Sequence, residues 1–187
     1  IQVKIIKGNH DSPTRLEVPT PFLAAFDMVV VGQVNRLPDK PLVERSRNID
    51  LEKFIVPLRN QQQQVEAWCL AVPFLRPSDV PRVDNAEDAY LEGISALYQQ
   101  VTALARAKKS PQQALVAMGH CHIVGGQISQ DSERKLVMGG VEMLSSRIFS
   151  DDTAYVALGH LHFAQAVGGE HIRYSGSPIP LSFSEIN

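Results

Sequence analysis

Ala114-Leu115-Val116-Ala117-Met118-Gly119-His120-Cys121-His122 and Tyr155-Val156-Ala157-Leu158-Gly159-His160-Leu161-His162 are two versions of one pattern. Each begins as a short aliphatic run of buried-strand length and ends at a glycine followed by His-x-His. Two strands ending in the same polar chemistry predict a sheet with a site along one of its ends. In extended backbone, residues i and i+2 project to one side, so His120 and His122 are expected to face a common point, as are His160 and His162. The same alternation turns Cys121 away from its flanking histidines and into packing.

Working outward, Val3 to Ile6 reads as a strand running into the turn-forming cluster Gly8-Asn9-His10-Asp11, with Asp11 bracing the loop. Thr20-Pro21 reads as an N-cap followed by proline, with Phe22, Leu23 and Phe26 giving a short helix its apolar side. Met28 to Val34 reads as a second buried strand. Lys53 to Leu58 and Val65 to Val72 predict a hairpin whose turn region, Arg59 to Gln64, holds four consecutive glutamines in solvent. Asp84 and Glu87 resemble a capping box ahead of the only long helix, whose stripe is Leu91, Ile94, Leu97, Tyr98, Val101, Leu104 and Ala105. A last strand, His171 to Tyr174, leads into Ser175-Gly176-Ser177-Pro178. Buried strands with one long helix and a short one predict an α/β fold.

Composition narrows the function classes. The 187 residues carry 18 Lys and Arg against 20 Asp and Glu, a formal net charge of −2, so no bulk positive field draws in nucleic acid or a membrane. Binding to DNA then requires local cations, and Arg15, Arg76, Arg147 and Arg173 are the candidates, although each one singly reads better as a solvated arginine. Ser175 and Ser177 can offer hydroxyls or amides to phosphate, or form a plain turn. No apolar stretch approaches a membrane span and no secretory leader is visible. Cys69 and Cys121 lack the spacing of a zinc knuckle or redox motif, which favours a reducing cytoplasm.

Five of the six histidines sit in polar loops at strand ends. A lone His-x-His is as often a surface pair as a ligand pair. Two such pairs, together with Asn9-His10-Asp11 at a third strand end, favour a metal site. Imidazole suits zinc, iron, nickel or copper, with manganese fitting mixed nitrogen and oxygen donors.

Gly8-Asn9-His10-Asp11, a later Gly-His and Gly159-His160-x-His162 resemble the last three motifs of calcineurin-like metallophosphoesterases. More narrowly, the blocks Gly8 to Pro13 with Arg15-Leu16, Ala71 to Pro77 and Tyr174 to Ser184 resemble the bacterial SbcD-type exonuclease subunits, across nearly the whole chain. The resemblance implies a layered sandwich, two sheets flanked by helices, here missing its first β-α-β portion. Residues 1–187 would form a single partial metallophosphoesterase domain with the C-terminal capping domain largely absent.

By the same resemblance, Asn9, His120 and His160 are ligands of one metal and His162 of its neighbour, His10 is the catalytic histidine, and His122 is a neighbour hydrogen-bonding a ligand. The implied activity is two-metal, manganese-dependent hydrolysis of DNA phosphodiesters, exonuclease and endonuclease, in DNA repair, recombination and replication. Implied partners are DNA, an SbcC-like coiled-coil ATPase and a second copy of the chain. Family members carry Asp-x-His and Gly-Asp motifs before Gly-Asn-His-Asp, whereas only seven residues precede Gly8 here. The chain alone is therefore expected to hold at most one ion well and to be catalytically crippled. The competing expectations are a phosphoesterase for a small substrate and a non-catalytic interaction domain.

Overall fold

β-Branched residues at Val3–Ile6 and Met28–Val31 form β1 and β2, a parallel pair in register from Val3 opposite Met28 to Ile6 opposite Val31. The structure is a computed structural model that describes residues 1–37, 48–129 and 143–185. Two short helices, α1 (Pro13–Glu17) and α2 (Thr20–Leu23), connect β1 to β2. Glu17 fixes this connection: its Oε1 accepts from the amides of Gly32 at 2.7 Å and Gln33 at 2.8 Å and from Lys53 Nζ at 2.8 Å. These bonds hold its carboxyl below the usual range despite partial burial.

The second sheet has six strands, β3 (Ile55–Arg59), β4 (Val65–Ala71), β5 (Ala114–His120), β6 (Thr153–Gly159), β7 (Gln165–Ala166) and β8 (Ile172–Tyr174), in the order β3-β4-β5-β6-β8-β7. Its centre, β4-β5-β6-β8, is parallel, and the edge strands β3 and β7 are antiparallel. The helix α3 (Ala89–Lys108) crosses from β4 to β5 and buries Ile94, Leu97, Tyr98, Val101 and Ala105. Full burial of a side chain such as Leu97 or Val101 contributes about 1.5–3 kcal/mol, which makes this stripe the main anchor of the helix. Gln113 locks the sheet margin, accepting from Trp68 Nε1 at 2.9 Å and donating to the Val65 carbonyl at 2.7 Å. The architecture is α/β, two sheets with helices against them, compatible with a metallophosphoesterase fold. Among the described residues no helix is long and apolar enough to cross a membrane.

Several boundaries differ from the sequence reading. The long helix is capped by Asp88, whose Oδ1 accepts from the amides of Tyr90 and Leu91, both at 3.0 Å, and not by an Asp84/Glu87 box. Asn85, at φ 62°, turns the chain left-handed and keeps Asp84 out of the helix, where it pairs with Arg82 at 3.3 Å. Thr20 is the first residue of α2 and not its cap, and its hydroxyl is buried without a partner. Phe22 and Phe26, expected as the apolar side of that helix, are 76% and 72% exposed. The second strand stops at Val31, because the amides of Gly32 and Gln33 turn to Glu17. Leu51–Phe54 is a 3-10 turn ahead of β3, so that strand begins at Ile55. The glutamine run lies in solvent as expected, ordered by Asn60 Oδ1 accepting from the amides of Gln62 and Gln64.

Candidate metal centre

Parallel strands deliver their carboxyl ends to one side of a sheet, where ligands bind in α/β folds. Here β1 delivers Gly8-Asn9-His10, β5 ends on His120, and β6 ends at Gly159 just before His160. Asp11 accepts from the Gly8 amide through Oδ2 at 2.8 Å and closes the first loop. The Phe74 amide donates to the Lys7 carbonyl at 2.8 Å, tying the segment after β4 to β1. Asn9, His10, His120, His160, His162, Ser177 and Leu181 line one open cleft of about 290 Å³.

The side chain of His120 is the centre of this convergence. Its Nε2 lies 2.9 Å from Asn9 Oδ1, and its ring lies 5.3 Å from that of His160. Two glycines make room for it. A Cβ on Gly8 would sit 2.9 Å from His120 Cε1, and one on Gly159 would sit 3.0 Å from His120 Nδ1. His160 itself has φ 104°, a left-handed conformation that costs a side-chain-bearing residue of order 1–3 kcal/mol. Non-glycine residues persist in this region chiefly where their surroundings or their function fix them.

Burial lowers the His120 pKa to about 4 and is also the first cause of the fall of His160 to about 4, where His120, His122, His162 and His10 add their repulsion. Both rings are therefore neutral at physiological pH, the state in which imidazole ligates a metal. Adjacent donors on one ion, each about 2.1 Å from it, stand roughly 3 Å apart. The 2.9 Å between Asn9 Oδ1 and His120 Nε2 has that spacing. The donors present are imidazoles and an amide, a nitrogen-rich set that suits zinc or iron better than calcium or magnesium and accommodates manganese as a mixed nitrogen and oxygen site. They fit as part of a coordination sphere. Among the described residues no three His, Cys, Asp or Glu side chains group closely enough to hold an ion without further donors.

Other sequence candidates fall outside the cleft. His122 hydrogen-bonds none of the expected ligands. It lines a small interior pocket with Tyr98 and Leu144, its ring stands 6.2 Å from that of His160, and its Nε2 is buried without a partner. Cys121 packs in the interior, and burial pushes its thiol up to about 12. Arg15 is exposed on α1 and Arg147 is exposed in the 3-10 turn Ser146–Ile148. Arg76 is exposed too, and Arg173 pairs with Glu170 at 3.0 Å. Ser175 lines a separate groove with Lys4 and Arg173. The amides expected to greet phosphate are already used: Ser177 N donates to the His162 carbonyl at 2.9 Å and Ser175 N to that of Leu158 at 3.4 Å.

Three residues around the site carried no sequence signal. Lys7 is 2% exposed, with its ammonium 4.0 Å from Asp79 and 5.8 Å from the centre of the Phe74 ring. Burial lowers its pKa. Tyr174 donates to the Cys121 carbonyl at 2.6 Å and accepts from the Ile123 amide at 3.0 Å, which fixes the loop after His120 against β8. Glu185 lies 2.8 Å from His162 Nδ1, a pairing across 23 residues that no local pattern announces.

The chain matches no protein-family model. Along all of its length it is 36% identical to the SbcD subunit of the SbcCD nuclease from Rhodobacter capsulatus, over 191 residues. The SbcD subunits of the SbcCD nucleases from Escherichia coli K12 and Bacillus subtilis are 32% and 30% identical over 97% and 98% of the chain. Over nearly all of its length the chain is similar to SbcD subunits. It spans 45%, 42% and 44% of the length of these three relatives. Because the SbcD matches run over nearly the whole chain, the cleft residues and the strands that carry them lie within the shared region.

Proposed function

We propose that this chain is part of a metal-dependent nuclease subunit that hydrolyses DNA phosphodiesters, with residues 1–187 belonging to one nuclease domain. The observation that carries the reading is the meeting of three strand ends at His120, with Asn9 at hydrogen-bond distance and His160 beside it. Asn9, His120 and His160 hold one ion and His162 contributes to its neighbour, with manganese as the expected metal. Divalent ions in such a site supply charge neutralisation at the phosphate and an acidified water.

The chain's own groups do the rest. Asn9 and the neutral rings of His120 and His160 offer lone pairs without first losing a proton. His10, exposed at the rim of the cleft, holds a proton for the leaving oxygen. With their amides engaged, Ser175 and Ser177 meet phosphate through hydroxyls only, and Arg15 contributes a distant backbone contact. DNA, an SbcC-like ATPase and a second copy of the chain are the proposed partners, in the cytoplasm, with DNA repair, recombination and replication as the setting.

Among the described residues the proposed donors include no carboxylate, so the chain alone is expected to hold at most one ion well and to cut DNA poorly. Manganese titration by calorimetry of this chain and of a longer form of the protein, followed by assays on end-labelled duplex DNA, tests the reading. One site in the chain and efficient cutting only by the longer form are expected. If neither binds manganese or cuts DNA, the histidine assignments are wrong and the interaction-domain reading replaces this one.

A further inference from the structure

We infer that Glu185 is the positioning residue of His162, holding Nδ1 so that the ring presents Nε2 to a divalent ion in the cleft. The inference deepens the proposed function and rests on its reading of His162 as a ligand. It starts from burial. The Glu185 side chain is 2% exposed, and that of His162 is 20% exposed. Carboxylates are almost never buried to this extent unless paired, because removing the charge from water costs several kcal/mol. Both oxygens of Glu185 are committed: Oε1 stands 2.8 Å from His162 Nδ1, and Oε2 accepts from the Leu181 amide at 2.8 Å.

An ionised carboxylate only accepts hydrogen bonds, so Nδ1 must carry the ring proton. In a neutral imidazole that assignment leaves the lone pair on Nε2, and any ion that His162 holds is held through Nε2. The backbone of His162 is secured by the same segment, since its carbonyl accepts from the Ser177 amide. Residues 175–185 thus form a strap that grips His162 at ring and backbone while Pro178 and Leu181 line the cleft beside it. Among the described residues no other histidine of the cleft is hydrogen-bonded to a carboxylate; His120 meets the amide of Asn9 instead. Metal-binding histidines commonly donate their second nitrogen to a carboxylate, which fixes tautomer and orientation.

The test compares the chain with Glu185→Gln and Glu185→Ala. Two-bond proton–nitrogen NMR of the metal-free protein near neutral pH reads the tautomer of His162 directly. The unsubstituted chain should hold the Nδ1–H form, Glu185→Ala should lose that preference, and Glu185→Gln, which keeps a carbonyl oxygen, should retain part of it. In the longer form of the protein, affinity for the second manganese ion, read by calorimetry, should fall by about 10- to 100-fold in Glu185→Ala and by less in Glu185→Gln. A merely structural glutamate would leave the tautomer unmoved. If the longer form binds two manganese ions and its Glu185→Ala variant binds both equally well, or if the tautomer of His162 is unmoved, the inference falls while the nuclease reading stands. If the unsubstituted chain binds none, the metal reading falls and takes the inference with it.

Discussion

The two Gly-His-x-His segments begin alike in sequence and end differently in space. After β5, His120 is still in register with its neighbouring strand and points into the cleft, while His122 turns inward to a pocket with Tyr98 and leaves its Nε2 without a partner. After β6 the chain leaves extended geometry at His160, φ 104°, and both His160 and His162 line the cleft. Period-two reasoning assumes extended backbone across all three residues. Neither pair keeps extended backbone to its last histidine, since the chain bends at Cys121 and turns left-handed at His160; the first pair splits and the second converges. A His-x-His motif therefore says that a strand end carries imidazoles, and the backbone just past the glycine decides where they go.

Removing one or the other histidine of the first pair gives the largest effect. His120→Ala removes the ring held between Gly8 and Gly159, and manganese affinity should fall by more than about 100-fold, whereas His122→Ala should change it by less than about tenfold. Calorimetric titration of both variants measures the ratio. Equal losses would erase the split within the first pair and place His122 in the site beside His120.

How far the sequence reached can be judged from these same residues. The strand ends at Asn9, His120 and His160 were legible because aliphatic runs stopping at glycine are local signals. Their convergence required strand order, which periodicity does not encode, and it depends on the parallel pairings of β4, β5 and β6. The capping box failed because a left-handed Asn85 moved the helix start to Asp88, and a Ser/Thr/Asp pattern cannot distinguish two acidic residues four apart. The apolar side assigned to Phe22 and Phe26 failed because helix spacing says nothing about whether a sheet lies beneath. Glu185 and Lys7 were invisible for a further reason: each acquires its role from a partner far away in the chain.

Acid should separate the pairs next. His120 and His160 have pKa values near 4 in the folded chain against 6.5 as the reference, with burial as the first cause in both. The unfolded chain then binds more protons between pH 6.5 and 4, so stability should fall as pH drops through that window and be fully present above it. The loss is on the order of 2 kcal/mol for each ring by the bottom of the window. Urea unfolding of the metal-free chain across that range reads it. His160→Asn should flatten the slope; a slope indifferent to that substitution would remove His160 as its source. Asp152 adds a smaller acid loss at lower pH. The hydrogen bond from Arg106 is the main reason that its carboxyl sits at about 2, so its contribution fades only between about pH 4 and 2, and its exposure keeps it modest.

The strained backbone that distinguishes the second pair can be weighed by itself. His160→Gly removes the ring and the penalty of a side chain at φ 104°, whereas His160→Ala removes the ring and keeps the penalty. The glycine variant should be the more stable of the two by about 1 kcal/mol in urea unfolding, although glycine elsewhere weakens a fold through the entropy of the unfolded chain. An alanine variant equal to or more stable than the glycine variant would mean that His160 relaxes out of the left-handed region once its ring is gone.

The residues between the histidines should show no effect at all. Cys121 lies between two imidazoles in sequence, a setting that suggests a reactive or metal-binding thiol, yet burial pushes it up to about 12. Cys69, in the middle of β4, is raised by burial to about 11. Thiolate, not thiol, attacks alkylating reagents, so at mildly alkaline pH neither should react with iodoacetamide in the folded chain, and both should react in urea. Manganese should alter neither rate. Rapid alkylation of Cys121 alone in the folded protein would place it at the cleft beside His120, and the two pairs would then differ less than their backbones indicate.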